Sequence, residues 1–139
     1  MNKLRVGTVF IPVLNLESSI TWYTECFGLE LVDNWGAGAS FKFPSGEALV
    51  ALIQVSEIQP LHFSTGDNQV DNVYFHFETD DLDKIKAHLR GNNIKIMKQE
   101  DHGLMNEIYI IDPSGNQIAI FCEKETSPFY KHATNKISW

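Results

Sequence analysis

One pattern constrains this chain more than any other: its 139 residues repeat the same order of landmarks twice. A β-rich segment runs into a polar helix start at residues 8–16, and again at residues 74–82. A Pro-Ser-Gly turn precedes a short apolar strand at residues 44–46, and again at residues 113–115. An internal repeat of this kind predicts that one supersecondary unit is duplicated.

Each repeat contains a predicted helix with a start, a buried face and a stop. Asn15 and Asp81 are the predicted N-caps, because their side chains accept hydrogen bonds from the first free helix amides. Gly28 and Gly91 are the predicted left-handed C-caps. Between cap and stop, apolar residues recur near the 3.6-residue helical period. They are Leu16, Ile20, Tyr23 and Phe27 in the first helix, and Leu82, Ile85 and Leu89 in the second.

Three short strand candidates follow each helix. They cover residues 29–35, 39–43 and 48–55 in the first repeat, and residues 94–99, 107–111 and 117–123 in the second. A single helix covers only one face of each sheet, so we expect the two uncovered faces to pair around a cavity. The sequence therefore predicts an α+β fold made of two tandem βαβββ modules.

These modules are expected to form one domain. Module 1 covers about residues 4–55, a linker or lid about 56–70, module 2 about 71–124, and a C-terminal tail 125–139. Turn-forming residues such as Pro60 and Gly66 support the linker. Aromatic residues in the tail, among them Phe129 and Trp139, predict that it docks on the body or on a second subunit.

The composition of the chain argues against nucleic-acid binding and against a membrane-spanning segment. Hydrophobic residues make up 43% and charged residues 21% of the chain, as in ordinary globular domains. The net charge of -7 and the scattered cations argue against a nucleic-acid partner, which needs a basic surface. No apolar run reaches the roughly 20 residues that span a bilayer. Cys26 and Cys122 have no metal-ligand spacing, so we expect a cytoplasmic protein with reduced thiols, with a disulfide as the alternative.

Two stretches of the sequence resemble the vicinal oxygen chelate superfamily, which includes glyoxalase I, extradiol dioxygenases, fosfomycin-modifying enzymes and bleomycin-resistance proteins. Residues 13–29, VLNLESSITWYTECFGL, are similar to the family's opening helix. Residues 112–116, DPSGN, are similar to its signature turn before the last strand. The resemblance extends to about Glu123, and it implies the duplicated fold and a homodimer.

The resemblance also implies where the family's enzymes hold a divalent metal: at a His or Gln in the first strand of each module and a Glu in the last. The matching first-strand positions here are Thr8 and Tyr74. The last-strand positions are Ala119 in module 2, and Val50 or Ala51 in module 1. None is a usual ligand in the family, so we expect no metal cofactor.

Strand alternation and the resemblance together give a candidate ligand-binding set. If the two first-strand positions point into the cavity, so do their alternate neighbours and the same parity of the last strand. Segments like those around Trp35 and His102 border the cavity mouth in the family. The set is Thr8, Phe10, Trp35, Tyr74, His76, Glu78, His102, Ala119 and Phe121.

Several of these candidates have a purely structural role as the alternative. His76 is a candidate general base or ligand donor, or a structural histidine with a hydrogen bond. Trp35 and His102 are candidate ligand contacts, or parts of glycine turns with packed side chains. A new metal site from His62, His76 and His102 has no recognisable ligand spacing.

These patterns favour a metal-independent protein of the bleomycin-resistance type that sequesters or senses a small organic molecule in an aromatic cavity. The alternative is a glyoxalase-like lyase or isomerase that uses a relocated Zn, Ni, Mn or Fe ion, or His76 for acid–base chemistry. A third hypothesis is that the protein is an interaction module whose cavity is filled by its own aromatic side chains. Fold alone does not decide between them.

Overall fold

The structure is a computed structural model that describes residues 3–44, 48–66 and 71–130. The chain divides into two compact units. Unit 1 consists of Met1–Pro60 together with Asp112–Asn116, and unit 2 of Leu61–Ile111 together with Gln117–Trp139. None of the described helices is long and apolar enough to cross a membrane.

Unit 1 has one helix on a four-stranded sheet. Its elements are β1 (Thr8–Val13), α1 (Leu16–Phe27), β2 (Glu30–Asn34), β3 (Gly38–Lys42) and β4 (Leu49–Gln54). The strand order is β1-β4-β3-β2, in which β1 runs parallel to β4 and the other neighbours are antiparallel. The side chains of Ile11, Tyr23 and Leu52 have no exposed surface and form the core of the unit.

Unit 2 repeats this plan after a short hairpin. The hairpin consists of β5 (His62–Ser64) and β6 (Asp71–Val73). The repeated elements are β7 (Phe77–Glu78), α2 (Leu82–Gly91), β8 (Lys98–Asp101), β9 (Met105–Ile111) and β10 (Gln117–Glu123), with strand order β7-β10-β9-β8. The predicted α+β class and the repeated βαβββ order are confirmed.

The predicted helix starts form as expected, and one predicted helix end does not. The Asn15 side chain accepts from the Ser18 amide at 2.9 Å, and Asp81 Oδ1 accepts from the Lys84 amide at 3.0 Å. Gly28 ends α1 with a φ of 66°. The prediction for Gly91 is wrong, because Gly91 is the last residue of α2 and the left-handed residue is Asn93, with a φ of 59°. Asparagine tolerates this conformation better than most residues do.

The first strand of the second repeat is shorter than the sequence pattern indicates. Only Phe77 and Glu78 pair with β10, whereas the β-rich run begins at Tyr74. The chain leaves the β5–β6 hairpin at Val73, which pairs with His62. Strand β5 of this hairpin lies within residues 56–70, where the sequence predicts a linker or lid, and β6 ends directly before Tyr74.

The DPSGN turn connects β9 to β10 yet belongs to unit 1. Asp112 is 4% exposed, and its carboxylate accepts from the Tyr23 hydroxyl at 2.6 Å and from the Asn116 backbone amide at 2.8 Å. The Asn116 side chain donates to the Pro12 carbonyl at 2.7 Å, and the Ser114 hydroxyl accepts from the Leu14 amide at 2.9 Å. The turn therefore ties α1 to the end of β1. Burial, followed by the Asp112 charge, raises the pKa of Tyr23 well above its usual range, so this phenol stays protonated.

Candidate functional site

Strand register assigns predicted site residues of unit 1 to the face of the sheet opposite its core. Thr8 pairs with Leu49, and Phe10 pairs with Ala51. Paired side chains share a face, so Ala51 lies on the same face as Thr8 and Phe10. Val50 lies on the other face because successive strand residues alternate. The register therefore resolves the uncertain last-strand position of module 1 as Ala51.

This face of unit 1, which we call the open face, carries two exposed aromatic side chains. Phe10 is 62% exposed and Trp35 is 47% exposed. The Trp35 ring lies over Gly38, where an added Cβ would come within 2.6 Å of the ring. Gly38 pairs with Ile53, and Ile53 also pairs with Pro12 in β1. Trp35 therefore extends the apolar surface that begins at Phe10.

The corresponding face of unit 2 holds several of the other predicted site residues. Phe121 pairs with Glu78 on β7 and with Glu107 on β9, so the three side chains share one face. Ala119 lies on the same face of β10 by alternation, and it pairs with Tyr109. We call this the open face of unit 2 by analogy with unit 1, although Tyr109, Ala119 and Phe121 on it are buried, and the opposite face carries further apolar core residues of this unit. Those core residues include Ile108, Ile110, Ile118 and Ile120.

His76 and Tyr74 lie just before β7. The His76 ring centroid is 3.5 Å from that of Phe121, so the two rings are in contact. Tyr74 is 68% exposed, and its ring centroid is 5.0 Å from that of Phe63 in β5. His76 therefore has an aromatic neighbour on the open face, while Tyr74 contacts the hairpin.

Burial sets the charge of the two titratable groups beside Phe121. Burial lowers the pKa of His76, against the opposing influence of Glu107 and Glu123. Burial also raises the pKa of Glu78, with help from the charges of Glu123 and Asp80. His76 is therefore a neutral imidazole at pH 7, able to accept a proton or a hydrogen bond.

Three polar side chains of unit 2 meet at the β8–β9 hairpin. His102 Nε2 lies 3.0 Å from Glu107 Oε1 and 3.2 Å from Glu100 Oε2. The other oxygen of Glu100 lies 2.7 Å from Lys98 Nζ. The ligand-type atoms of Glu100, His102 and Glu107 all lie within 4.8 Å of one another. We call these three residues the Glu-His-Glu cluster.

The sequence pattern indicates His102 as a candidate, but it does not indicate the two carboxylate partners, Glu100 and Glu107. Glu100 and Glu107 are direct cross-strand partners in the β8–β9 pairing. A correct hairpin register would have placed them side by side, because opposite residues on one face lie about 5 Å apart. The strand predicted at residues 94–99 ends before Glu100. The prediction therefore did not show that Glu100 and Glu107 are cross-strand partners.

A cavity of about 320 Å³ lies between α2 and the strands β8 and β9. Leu82 and Lys86 of α2 line it, together with Gln99, Asn106 and Ile108 of the strands. No residue of the predicted ligand-binding set lines this cavity. Glu100, Asp101 and Glu107 also line it, so the cavity reaches the Glu-His-Glu cluster and the residue that pairs with Phe121.

The metal positions that the family implies hold no suitable donors. They are Thr8 and Ala51 in unit 1, and Tyr74 and Ala119 in unit 2. The two alanines have no donor atom and are each 1% exposed. Hydroxyl groups are poor substitutes for imidazole and carboxylate ligands. These four residues do not fit the divalent metal of the family's enzymes.

Comparisons with known proteins agree with this fold. The chain is 25% identical to a lactoylglutathione lyase of Schizosaccharomyces pombe, in an alignment covering 92% of this chain and 50% of that protein. The chain thus spans about half the length of this curated relative. The solved lactoylglutathione lyase from Agrobacterium tumefaciens has a TM-score of 0.66 and 21% identity, covering 87% of this chain and 95% of that one.

A second solved structure has the same fold. A glyoxalase/bleomycin resistance protein/dioxygenase from Nocardioides matches with a TM-score of 0.62 and 20% identity, covering 91% of this chain and 88% of that one. The family model of the glyoxalase/bleomycin resistance protein/dioxygenase superfamily matches residues 5–120, most of the chain. With its two βαβββ repeats and its DPSGN turn, this chain belongs to the glyoxalase/bleomycin resistance protein/dioxygenase superfamily.

Proposed function

We propose that the protein binds a small organic molecule on the aromatic open faces of its sheets, without a metal at the family's usual positions. The observation that carries this proposal is that aromatic side chains lie on the same strands as the positions where the family's ligands are absent, exposed at Phe10 and buried at Phe121. In unit 1, Thr8 and Ala51 stand at ligand positions, and Phe10 lies exposed beside them. In unit 2, Ala119 stands at a ligand position next to Phe121 and His76.

Exposed aromatic area supplies the driving force for such binding. Phe10 is 62% exposed although it lies in the middle of a strand whose next residue, Ile11, is fully buried. Covering about 100 Å² of apolar surface contributes roughly 2.5 kcal/mol. Pockets for organic ligands combine such surfaces with a few polar groups, and on unit 2 His76 and Glu78 would fill that role.

The proposal is tested with the neutral aromatic dye Nile red, in buffer that contains EDTA. We expect dye fluorescence to rise on binding, and Phe10→Ala to weaken the affinity by about tenfold because it removes an aromatic contact. Phe129→Ala is the matched control, since Phe129 is an exposed phenylalanine outside the predicted site, 68% exposed. Unchanged affinity in Phe10→Ala, or binding that disappears in EDTA, would overturn the proposal.

We place this binding protein in the cytoplasm, as its sequence predicts. Cys26 and Cys122 are free thiols. Burial raises the pKa of Cys26 to about 11, so this thiol is a poor nucleophile and behaves as a core residue. Free thiols of this kind are typical of reducing compartments and support the location.

A homodimer belongs to the same proposal. Strand β2 is one of the two edge strands of the unit 1 sheet, and every one of its residues is exposed, including Leu31 and Val32. Edge strands with exposed apolar side chains pair readily with a second copy. Light scattering on the eluting protein should give twice the 15.8 kDa chain mass. The Leu31→Lys variant should instead give the mass of one chain. A wild-type protein with the mass of one chain would contradict the dimer.

A glyoxalase-like lyase or isomerase is the second candidate function. Two observations favour it: the Schizosaccharomyces pombe relative is a lactoylglutathione lyase, and His76 is neutral and able to act as a general base. The test measures consumption of lactoylglutathione by the wild type and by His76→Gln. Turnover that His76→Gln lowers by at least about 100-fold supports this candidate. Absence of turnover, or equal turnover in both proteins, rejects the role of His76.

A further inference from the structure

We propose that the Glu-His-Glu cluster, formed by Glu100, His102 and Glu107, is a Zn²⁺ site at a position that the family does not use. This inference goes beyond the proposed function, which concerns the aromatic faces and does not require it. The cluster lies on the β8–β9 hairpin, away from the family's ligand positions in the first and last strands of each module.

The donor set and its spacing fit a zinc ion. One imidazole nitrogen and two carboxylates are ligands that zinc accepts, and three protein ligands leave one position for water or a substrate. In a tetrahedral site with bonds of about 2.1 Å, neighbouring donor atoms lie roughly 3.4 Å apart. His102 Nε2 lies 3.0 Å from Glu107 Oε1 and 3.2 Å from Glu100 Oε2, close to that spacing. The carboxylates need only a small adjustment to admit the ion.

The charge of Glu107 is the strongest argument for a cation. Its side chain is 5% exposed, and among the described residues its direct ion-pair partner is His102, while Lys98 acts on it only through its charge. A buried carboxylate without a permanent positive partner is costly. His102 Nε2 can carry only one proton, yet it faces two carboxylates. A bound dication would satisfy both oxygens and the nitrogen at once.

The surroundings of the cluster resemble the outer shell of a metal site. Lys98 holds Oε1 of Glu100 and leaves Oε2 directed toward His102. Burial, followed by interaction with the Glu107 carboxylate, raises the pKa of the Tyr109 phenol. Such partners orient metal-ligating carboxylates.

The hairpin holds the three ligands in place. Glu100 and Glu107 are fixed by strand pairing, and the His102 amide donates to the Met105 carbonyl at 2.9 Å. Asp101 is held by Lys124 Nζ at 2.8 Å, and it accepts from the Gly103 amide at the same distance. A site on paired strands keeps its geometry better than one on a loose loop.

The test titrates Zn²⁺ into full-length protein that has been stripped with EDTA and desalted, using calorimetry. We expect about one equivalent to bind, with affinity lowered by at least about tenfold in His102→Ala and in Glu107→Gln. His88→Ala is the matched control, because it removes an exposed histidine of α2 outside the cluster, and it should bind like the wild type. Circular dichroism checks that each variant is folded.

Three results would overturn the site. They are less than about a tenth of an equivalent bound to the wild type, unchanged affinity in His102→Ala, or equal weakening in His88→Ala. If Glu107→Gln fails to fold, the test uses His102→Ala and Glu100→Gln, because His102 and Glu100 are less buried than Glu107. Imidazole resonances of His102 followed by NMR during the titration provide a second readout. The Nile red experiment in EDTA is independent, so failure of either proposal is distinguishable from failure of the other.

Discussion

Gly38 leaves space on the open face of unit 1 that the Trp35 ring occupies. An added Cβ would lie 2.6 Å from the Trp35 ring, 2.7 Å from the Leu52 carbonyl oxygen and 2.8 Å from Ile53 Cδ1. The carbonyl belongs to the paired strand β4 and cannot move aside easily. The absence of a side chain at Gly38 therefore leaves room for the Trp35 ring.

Gly38→Ala should destabilise the protein by about 1–3 kcal/mol, because the added methyl overpacks a site closed by backbone. Urea unfolding followed by circular dichroism measures the change. Gly7→Ala is the matched control, since a Cβ at Gly7 meets nothing within 4 Å. Equal stability of the two variants would show that β4 relaxes at no cost.

The second prediction at the residue scale concerns the pKa of His76. Because burial lowers its pKa, its NMR titration midpoint should fall below the usual value of about 6.5. The neutral form is favoured in the folded state, so its contribution to stability is present above pH 6.5 and is lost as the pH falls through the folded pKa. Phe121→Ala should move the midpoint upward, because it uncovers the ring. A midpoint above 6.5 in the wild type would mean that the charges of Glu107 and Glu123 dominate.

At the scale of the element, the start of α1 is held from several directions. The Asn15 side chain caps the Ser18 amide, and the Gln54 side chain accepts from the Leu16 amide at 2.9 Å. The Ser114 hydroxyl accepts from the Leu14 amide just before the cap. This helix therefore combines a local cap with bonds from distant parts of the chain.

Asn15→Ala should lower the free energy of unfolding by about 1 kcal/mol, because one helix amide loses its partner. Asn15→Asp is the control, since aspartate caps as well and its charge suits a helix N-terminus. Chemical unfolding of the three proteins gives the comparison. If Asn15→Ala were as stable as the wild type, the Gln54 bond would be sufficient to hold the helix start.

At the scale of the whole molecule, unit 1 is discontinuous in sequence. Its fully buried Tyr23 hydroxyl is satisfied by Asp112, 89 positions later in the chain. Without that partner the buried hydroxyl loses a charge-assisted hydrogen bond, which costs about 1–3 kcal/mol. Residues 112–116 are therefore needed to complete the first repeat.

A fragment of residues 1–60, expressed alone, should fail to fold, because it lacks the turn that supports Tyr23 and Pro12. Amide NMR spectra should show poor dispersion, whereas the full chain should show dispersed signals. A fragment with dispersed signals and a cooperative thermal transition would show that the first repeat is independent of the turn.

Much of the architecture could be predicted because its signals are local. The N-caps at Asn15 and Asp81 and the DPSGN turn depend on residues close together in sequence. The assignment of Thr8, Tyr74 and Ala119 to the family's ligand positions comes from the resemblance and from counting along the chain, and it stays a prediction. The β5–β6 hairpin could not be found this way, because its two strands are short and carry no distinct period.

The sequence by itself determined the duplicated α+β unit and its helix starts. Only the tertiary structure decided which residues of paired strands face each other: Ala51 rather than Val50 beside Phe10, and Glu100 beside Glu107. The physical reason is strand geometry. A shift of one residue in register turns every side chain to the opposite face, and that register is set by packing across the whole sheet.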